Sequence, residues 1–382
     1  MNRTALSWSA YAGMFVFGIV MALLGAILPA LSGRLEFGLA DIGTLFLAMN
    51  LAMLACSSFI GLAMDRFGMK PPLVAGPVLV AAAIALIAMA ARFPALMPAV
   101  MLLGLGGGGL NAATNTLIAD IHDHPRQKSA ALNILGVFFG FGALFMPFAI
   151  SLLLASFGIR TLLLGSAVLC LGAAAFAGTL RYPAPKQQHR LPVAEMPRFL
   201  KSTQVQVMAL LLLFQSGMEF TLGGYISTYM TRGFGMTVGS ASLVLAGYWA
   251  SIMVARLVLS RALAAASPAV VVVLCAAGAA AANVALALAG NGTAAAIGAC
   301  LAGFTLSGIF PTTLGIAGAK FRDFSGTVFG ILFTAALTGG TILPWVAGQI
   351  AAAAGLNWVF AFAAAAFVVI GFLGMVMRRS EV

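Results

Sequence analysis

The strongest constraint on this chain is the recurrence, twelve times, of an apolar run as long as a bilayer is thick. A helix needs ~20 apolar residues to cross the hydrocarbon core. Cutting the sequence at charges, prolines and Asn/Gly punctuation leaves runs at 8–31, 41–64, 73–91, 94–119, 128–156, 160–180, 204–230, 239–260, 268–289, 294–318, 326–351 and 357–377. Hydrocarbon offers the backbone no hydrogen-bond partners, so runs of this length must be helices. Composition excludes a soluble alternative. Only 8% of the 382 residues are charged, against about 25% in a soluble domain, too few to cover a water-exposed surface. A cytosolic enzyme and a disordered scaffold are both ruled out. The expectation is an all-α membrane protein with twelve transmembrane helices.

A net charge of +11 would suggest nucleic acid in a soluble protein. In a membrane protein it sets orientation, because cytoplasmic loops retain Lys and Arg. With the N-terminus inside, sixteen of the twenty basic residues fall on the cytoplasmic side and four (Arg34, Arg92, Arg160 and Arg232) outside. Both termini are then expected in the cytoplasm. The run 8–31 exceeds a signal-peptide core in length and reads as the first span. Cys56, Cys170, Cys275 and Cys300 all lie in apolar runs, where a thiol packs as a small hydrophobe. The longest polar stretch, 181–203, holds Pro183, Pro185, Pro192 and Pro197 at the chain's midpoint. It reads as a linker between a 1–180 half and a 204–382 half. A shift of 197 residues carries Gly106 onto Gly303, Gly142 onto Gly339 and Pro147 onto Pro344, as duplicated halves require.

The segment Gly61-Leu-Ala-Met-Asp65-Arg66-Phe-Gly68-Met69-Lys70 resembles the signature loop between helices 2 and 3 of the major facilitator superfamily. The resemblance implies two pseudo-symmetric six-helix halves with a glycine packing helices closely. It also implies an aspartate that pairs with basic residues in a cytoplasmic latch. Gly61, Asp65, Arg66, Gly68 and Lys70 match the pattern; Met69 stands where a basic residue is usual. The second-half counterpart, Arg256-Leu-Val-Leu-Ser-Arg261, keeps the arginines without an aspartate. Segments around Asn111 and Asn115, Asn133, and Gly217–Tyr229 are similar to the fucose/glucose-type sugar:cation symporter branch. That branch uses acids in helices 1 and 4 for proton coupling. Here the first span has none and the fourth offers Asn111 and Asn115, so the resemblance implies a sugar-like solute without that coupling scheme.

Of nine acidic residues, only Glu219 falls near the middle of a span. An intramembrane carboxylate costs ~2.5–3.5 kcal/mol on insertion scales and therefore marks a wet cavity with a function. No Lys or Arg is expected at its depth, and burial without a cation favours the protonated form. Glu219 is thus the expected carrier of a coupling proton (or the ligand of a sodium ion); the bland alternative is a neutral Glu bonded between helices. At ~100° per residue, Gln215, Glu219, Tyr225 and Tyr229 share one helical face, suiting a hydroxyl-rich ligand. Tyr229 could equally belong to an interfacial aromatic belt. Tyr248 and Trp249 near the middle of the eighth span are stacking candidates, although a midplane Trp also serves packing. The amides Asn50, Asn111, Asn115 and Asn133 are ligand candidates; such amides also bond across helices for ~0.6–2 kcal/mol.

The run Gly104–Gly109 lacks the Lys-Ser/Thr ending of a phosphate loop and reads as a site of close helix approach. Pro147, Pro311 and Pro344 mark kinks. His122-Asp123-His124 has ligand-like spacing without a full metal set and reads as a solvated loop. No metal or cofactor is expected, and an enzyme is disfavoured because the three histidines lie in loops beside a single deep acid. The expectation is a monomeric secondary transporter of a small polar solute in a bacterial cytoplasmic membrane. The alternative within the same fold is a proton antiporter exporting drugs, lipophilic cations or metabolites, with Met14 and Met21 in an adaptable surface.

Overall fold

The computed structural model describes residues 3–122, 125–183, 196–262, 267–321 and 325–379. Among them every regular element is a helix: α1 (Arg3–Leu35), α2 (Leu39–Phe67), α3 (Lys70–Met89), α4 (Leu96–Ile121), α5 (Pro125–Thr179), α6 (Met196–Leu200), α7 (Thr203–Phe234), α8 (Val238–Ala262), α9 (Pro268–Ala287), α10 (Gly292–Leu306), α11 (Ile309–Lys320), α12 (Ser325–Ala354) and α13 (Asn357–Arg379). A one-turn 3-10 helix at Phe93–Ala95 precedes α4. Eleven helical stretches among the described residues are long and apolar enough to cross a membrane.

Two of the stretches are interrupted for identifiable reasons. α5 runs for 55 residues, ~80 Å at 1.5 Å per residue, far more than one bilayer core. Its helical geometry breaks at Gly158, where φ is 69° and ψ is 160°. A Cβ there would meet nothing within 4 Å, so the glycine serves backbone conformation rather than close packing. α10 and α11 form one apolar stretch, Gly292–Lys320, parted at Ser307 and Gly308. Pro311 lies four residues after Ser307, so the Ser307 carbonyl loses its intrahelical donor there. Pro147 and Pro344 lie inside α5 and α12, which continue through them.

The chain forms two compact units. The first comprises Met1–Gly38, Thr44–Gln188 and Thr237–Ala246; within it α1 packs on α4 and α5, and α3 on α4 and α5. α1 is sheathed by its neighbours, with Met14 and Met21 buried among them. The second comprises Leu39–Gly43, His189–Met236 and Gly247–Val382; there α7 packs on α12 and α13, while α9 contacts α10, α11 and α13. Residues 184–195 of the expected linker lie outside the described residues.

Glycine decides where helices cross, and it does so in both units. A Cβ on Gly142 of α5 would collide with the Phe15 carbonyl of α1, and one on Gly339 of α12 with the Leu213 carbonyl of α7. In each unit a second glycine faces the first, Gly18 for Gly142 and Gly217 for Gly339. These crossings follow the 197-residue repeat closely. The third pair of the repeat, Gly106 with Gly303, does not share an equivalent contact. Gly303 of α10 abuts the Tyr248 carbonyl of α8, whereas the glycines of α4 that abut α2 in this way are Gly104, against the carbonyl of Met49, and Gly108, against that of Met53. Gly106, between them, faces Gly76 and Val80 of α3. The α4 counterparts of Gly303 are therefore offset by two residues, in either direction, from the spacing read in the sequence.

Candidate functional site

α7 is a 32-residue helix whose left-handed C-cap, Gly235 at φ 65°, turns the chain into α8. Glu219 lies at the middle of α7 and is 15% exposed. Its Oε2 accepts a hydrogen bond of 2.8 Å from Nε2 of the fully buried Gln215, one turn earlier. Ser216 Oγ in turn donates to Gln215 Oε1 at 3.3 Å. The predicted pairing of amide and carboxylate on one face is therefore present.

The premise of an acid without a cation is overturned. Nη2 of Arg256, on α8, stands 3.9 Å from Glu219 Oε1. The sequence pattern places Arg256 in the second-half counterpart of the cytoplasmic latch; the structure also sets its guanidinium beside the deep acid. The signal was countable. Glu219 lies about seventeen residues before the α7–α8 turn and Arg256 about twenty after it, a difference in level of roughly 4–5 Å at 1.5 Å per residue. A flexible arginine spans that easily. At 3.9 Å the contact is an ion pair rather than a charge-assisted hydrogen bond, which is ≈2.7–2.9 Å long.

The three tyrosine candidates have committed hydroxyls. Tyr248 is fully buried and donates to the backbone carbonyl of Glu219 at 3.3 Å, bracing α8 against α7. Trp249 packs edge-on to Tyr248, 5.3 Å between centroids, and lies over Gly223, where a Cβ would come within 2.9 Å of its ring. Tyr225 donates to the Pro344 carbonyl of α12 at 3.1 Å, and Tyr229 to the Leu286 carbonyl of α9 at 2.9 Å. The shared face inferred from helical periodicity thus reaches two different neighbouring helices, and both tyrosines are buried.

In the first unit, Asn115 Nδ2 bonds the side-chain oxygen of Asn111 at 3.1 Å and its carbonyl at 2.8 Å, and both amides are half-buried. Asn50 is buried and donates to the Phe46 carbonyl at 2.9 Å; its Oδ1 has no hydrogen-bond partner among the described residues. Asn133 lies in α5 with its side chain outside the described residues.

The predicted latch is resolved in part. Gly68 ends α2 at φ 81°, where glycine is required, and its N–H bonds the Met64 carbonyl at 2.8 Å. Lys70 opens α3 and is exposed, as is Arg66, whose guanidinium lies 5.3 Å from the Phe67 ring centroid. A Cβ on Gly61 would meet nothing within 4 Å among the described residues. The side chains of Asp65 and Arg261 lie outside the described ones, as do residues Asp123 and His124. Two grooves of about 350 and 310 Å³ on α1 and α5, lined by Phe15 and Phe138 among others, are almost wholly apolar and include none of the predicted ligand residues.

The Major Facilitator Superfamily model matches residues 10–218, more than half of the chain. The chain belongs to the Major Facilitator Superfamily. This facilitator is 24% identical over 367 residues to the uncharacterized MFS-type transporter YfkL of Bacillus subtilis, covering 92% of this chain and 90% of the relative. Its fold is similar to that of the nucleoside transporter NupG, with TM-score 0.78, 14% identity and 99% coverage of both chains. It is also similar to the Escherichia coli fucose:proton symporter FucP, with TM-score 0.67, 19% identity and 99% coverage of both chains. The facilitator is an integral multi-pass membrane transporter, not an enzyme.

Proposed function

We propose that this facilitator is a monomeric secondary active transporter of a small polar, sugar-like solute, working by alternating access with Glu219 carrying a coupling proton. The observation that carries the reading is the Gln215–Glu219–Arg256 cluster at mid-helix on α7 and α8. A charged pair at that depth is costly to maintain in hydrocarbon and belongs where water and solute reach it. Fold relatives that handle nucleosides and fucose support a hydroxyl-rich cargo. Counting α5 on either side of Gly158 brings the eleven apolar stretches to twelve spans, which two six-helix halves, 1–180 and 204–382, would share. The sixteen-to-four distribution of basic residues supports cytoplasmic termini, and the bacterial relative supports a bacterial cytoplasmic membrane.

The cation-export alternative loses its two supports. Arg256 already supplies the counter-charge to Glu219, and Met14 and Met21 are buried, Met14 Sδ accepting from Thr114 at 3.6 Å. In proteoliposomes, an inward proton gradient should drive uptake of a small hydroxylated solute, a sugar or a neutral or anionic sugar analogue, with no proton-dependent efflux of lipophilic dyes. Dye efflux without polar-solute uptake would reverse the assignment. Asp65, Arg66 and Lys70 are proposed to stabilise the cytoplasmically closed state. Asp65→Asn should then slow turnover several-fold while changing solute affinity little. A pure affinity loss would contradict the latch role.

A further inference from the structure

The guanidinium of Arg256 is incompletely used. Its Nη2 faces Glu219 at 3.9 Å, and its Nε is buried with no hydrogen-bond partner among the described residues. The neighbouring acceptors are engaged elsewhere: Glu219 Oε2 takes the Gln215 amide, and the Glu219 carbonyl takes Tyr248. Yet the side chain is 34% exposed, so part of the guanidinium is left uncovered by the protein. A guanidinium with free donors matches a planar, two-oxygen anion such as a carboxylate.

Charge balance gives the same answer independently. With Glu219 ionised, the pair is neutral. If Glu219 takes up a proton, an uncompensated cation remains in a low-dielectric site, which is costly. A monoanion on Arg256 restores neutrality. Among the described residues of the other spanning helices of this unit that contact α7, no mid-helix carboxylate, Lys or Arg competes for the role. α12 carries no ionisable side chain, the ionisable groups of α13 are Arg378 and Arg379 at its end, that of α11 is Lys320 at its last residue, and Cys300 of α10 lies against Gly247. Tyr248 of α8 is committed to the Glu219 carbonyl.

We propose that Arg256 is the recognition site for the carboxylate of a small hydroxylated monoanion, which travels with one proton held on Glu219. This rests on the transporter reading above and narrows its solute to the anionic form of a sugar-like molecule. The proton comes from the solvent on the loading side, adds to a Glu219 carboxylate oxygen and leaves on the other side. The solute carboxylate pairs with the Arg256 guanidinium in its place. No covalent bond is made, and the loaded and empty sites carry the same net charge.

The test is uptake into proteoliposomes of gluconate, glucuronate and lactate beside glucose, fucose and uridine. The pH gradient is one unit, and the membrane potential is clamped with potassium and valinomycin at zero or inside-negative. Expected is about tenfold accumulation of at least one monocarboxylate, equal at both potentials, with no accumulation of the neutral solutes. Arg256→Lys, which keeps the charge but loses the planar fork, should raise the carboxylate KM about tenfold while leaving uptake pH-driven; Arg256→Gln should abolish accumulation. Proton-driven accumulation of a neutral solute in place of the anions overturns the anion inference and leaves the transporter reading standing. So does anion uptake that follows the membrane potential. Transport of none of the six overturns both.

Discussion

Glu219→Gln is expected to abolish proton-driven accumulation while leaving solute exchange across the membrane at least partly intact. A carrier moving one proton per solute converts each pH unit into about 1.4 kcal/mol, or a tenfold solute gradient. The variant's accumulation ratio under a one-unit gradient should therefore fall from about ten to about one. Glutamine is nearly isosteric, and its side-chain oxygen can still accept the 2.8 Å bond from Gln215, so the α7 surface is retained. What disappears is the site that binds and releases a proton. The substitution also strips Arg256 of its partner, and a solitary intramembrane cation is destabilising. The double variant Glu219→Gln/Arg256→Gln should recover thermal stability relative to Glu219→Gln alone without recovering accumulation. Unchanged accumulation in the single variant would remove Glu219 from the coupling scheme.

The second large effect concerns the crossings themselves. Gly142→Ala and Gly339→Ala each put a methyl group into a neighbouring backbone carbonyl, of Phe15 and Leu213 respectively. Backbone cannot rotate aside as a side chain does, so the helices must separate, and overpacking of this kind costs about 1–3 kcal/mol or more. The control lies in α5 beyond the break at Gly158. A Cβ on Gly165 meets nothing within 4 Å, so Gly165→Ala should be neutral or gain up to about 1 kcal/mol of helix propensity. Thermal unfolding in detergent should show clear Tm losses for the two crossing variants and none for the control. Equal behaviour of all three would mean that the crossings are not held by glycine.

Some of the site was legible before any coordinates. Glu219 stands out because it is the single acid far from a run's end, and Gln215 follows from helical periodicity one turn away. Arg256 was visible in the sequence, but its place beside Glu219 was not. Its distance from a span boundary suggested a cytoplasmic residue, whereas its level relative to Glu219 depends on counting through the α7–α8 turn. Tyr225 and Tyr229 share the predicted face of α7, but which helix receives each hydroxyl depends on neighbours remote in the chain.

From the sequence alone came the all-helical membrane class, the approximate spans and the depth of the one interior acid. These follow from hydrophobicity accumulated over ~20 residues, a local sum indifferent to which helix lies alongside. Tertiary structure alone decided the cation beside Glu219, the carbonyls that take the tyrosines, and that Gly104 and Gly108, not Gly106, meet α2. Each depends on the rotation of one helix about its axis and its slide along another, where a shift of two residues moves a group by about 3 Å and turns it to another face. Hydrophobicity is uniform along these helices and does not set that slide; glycine-to-backbone contact does.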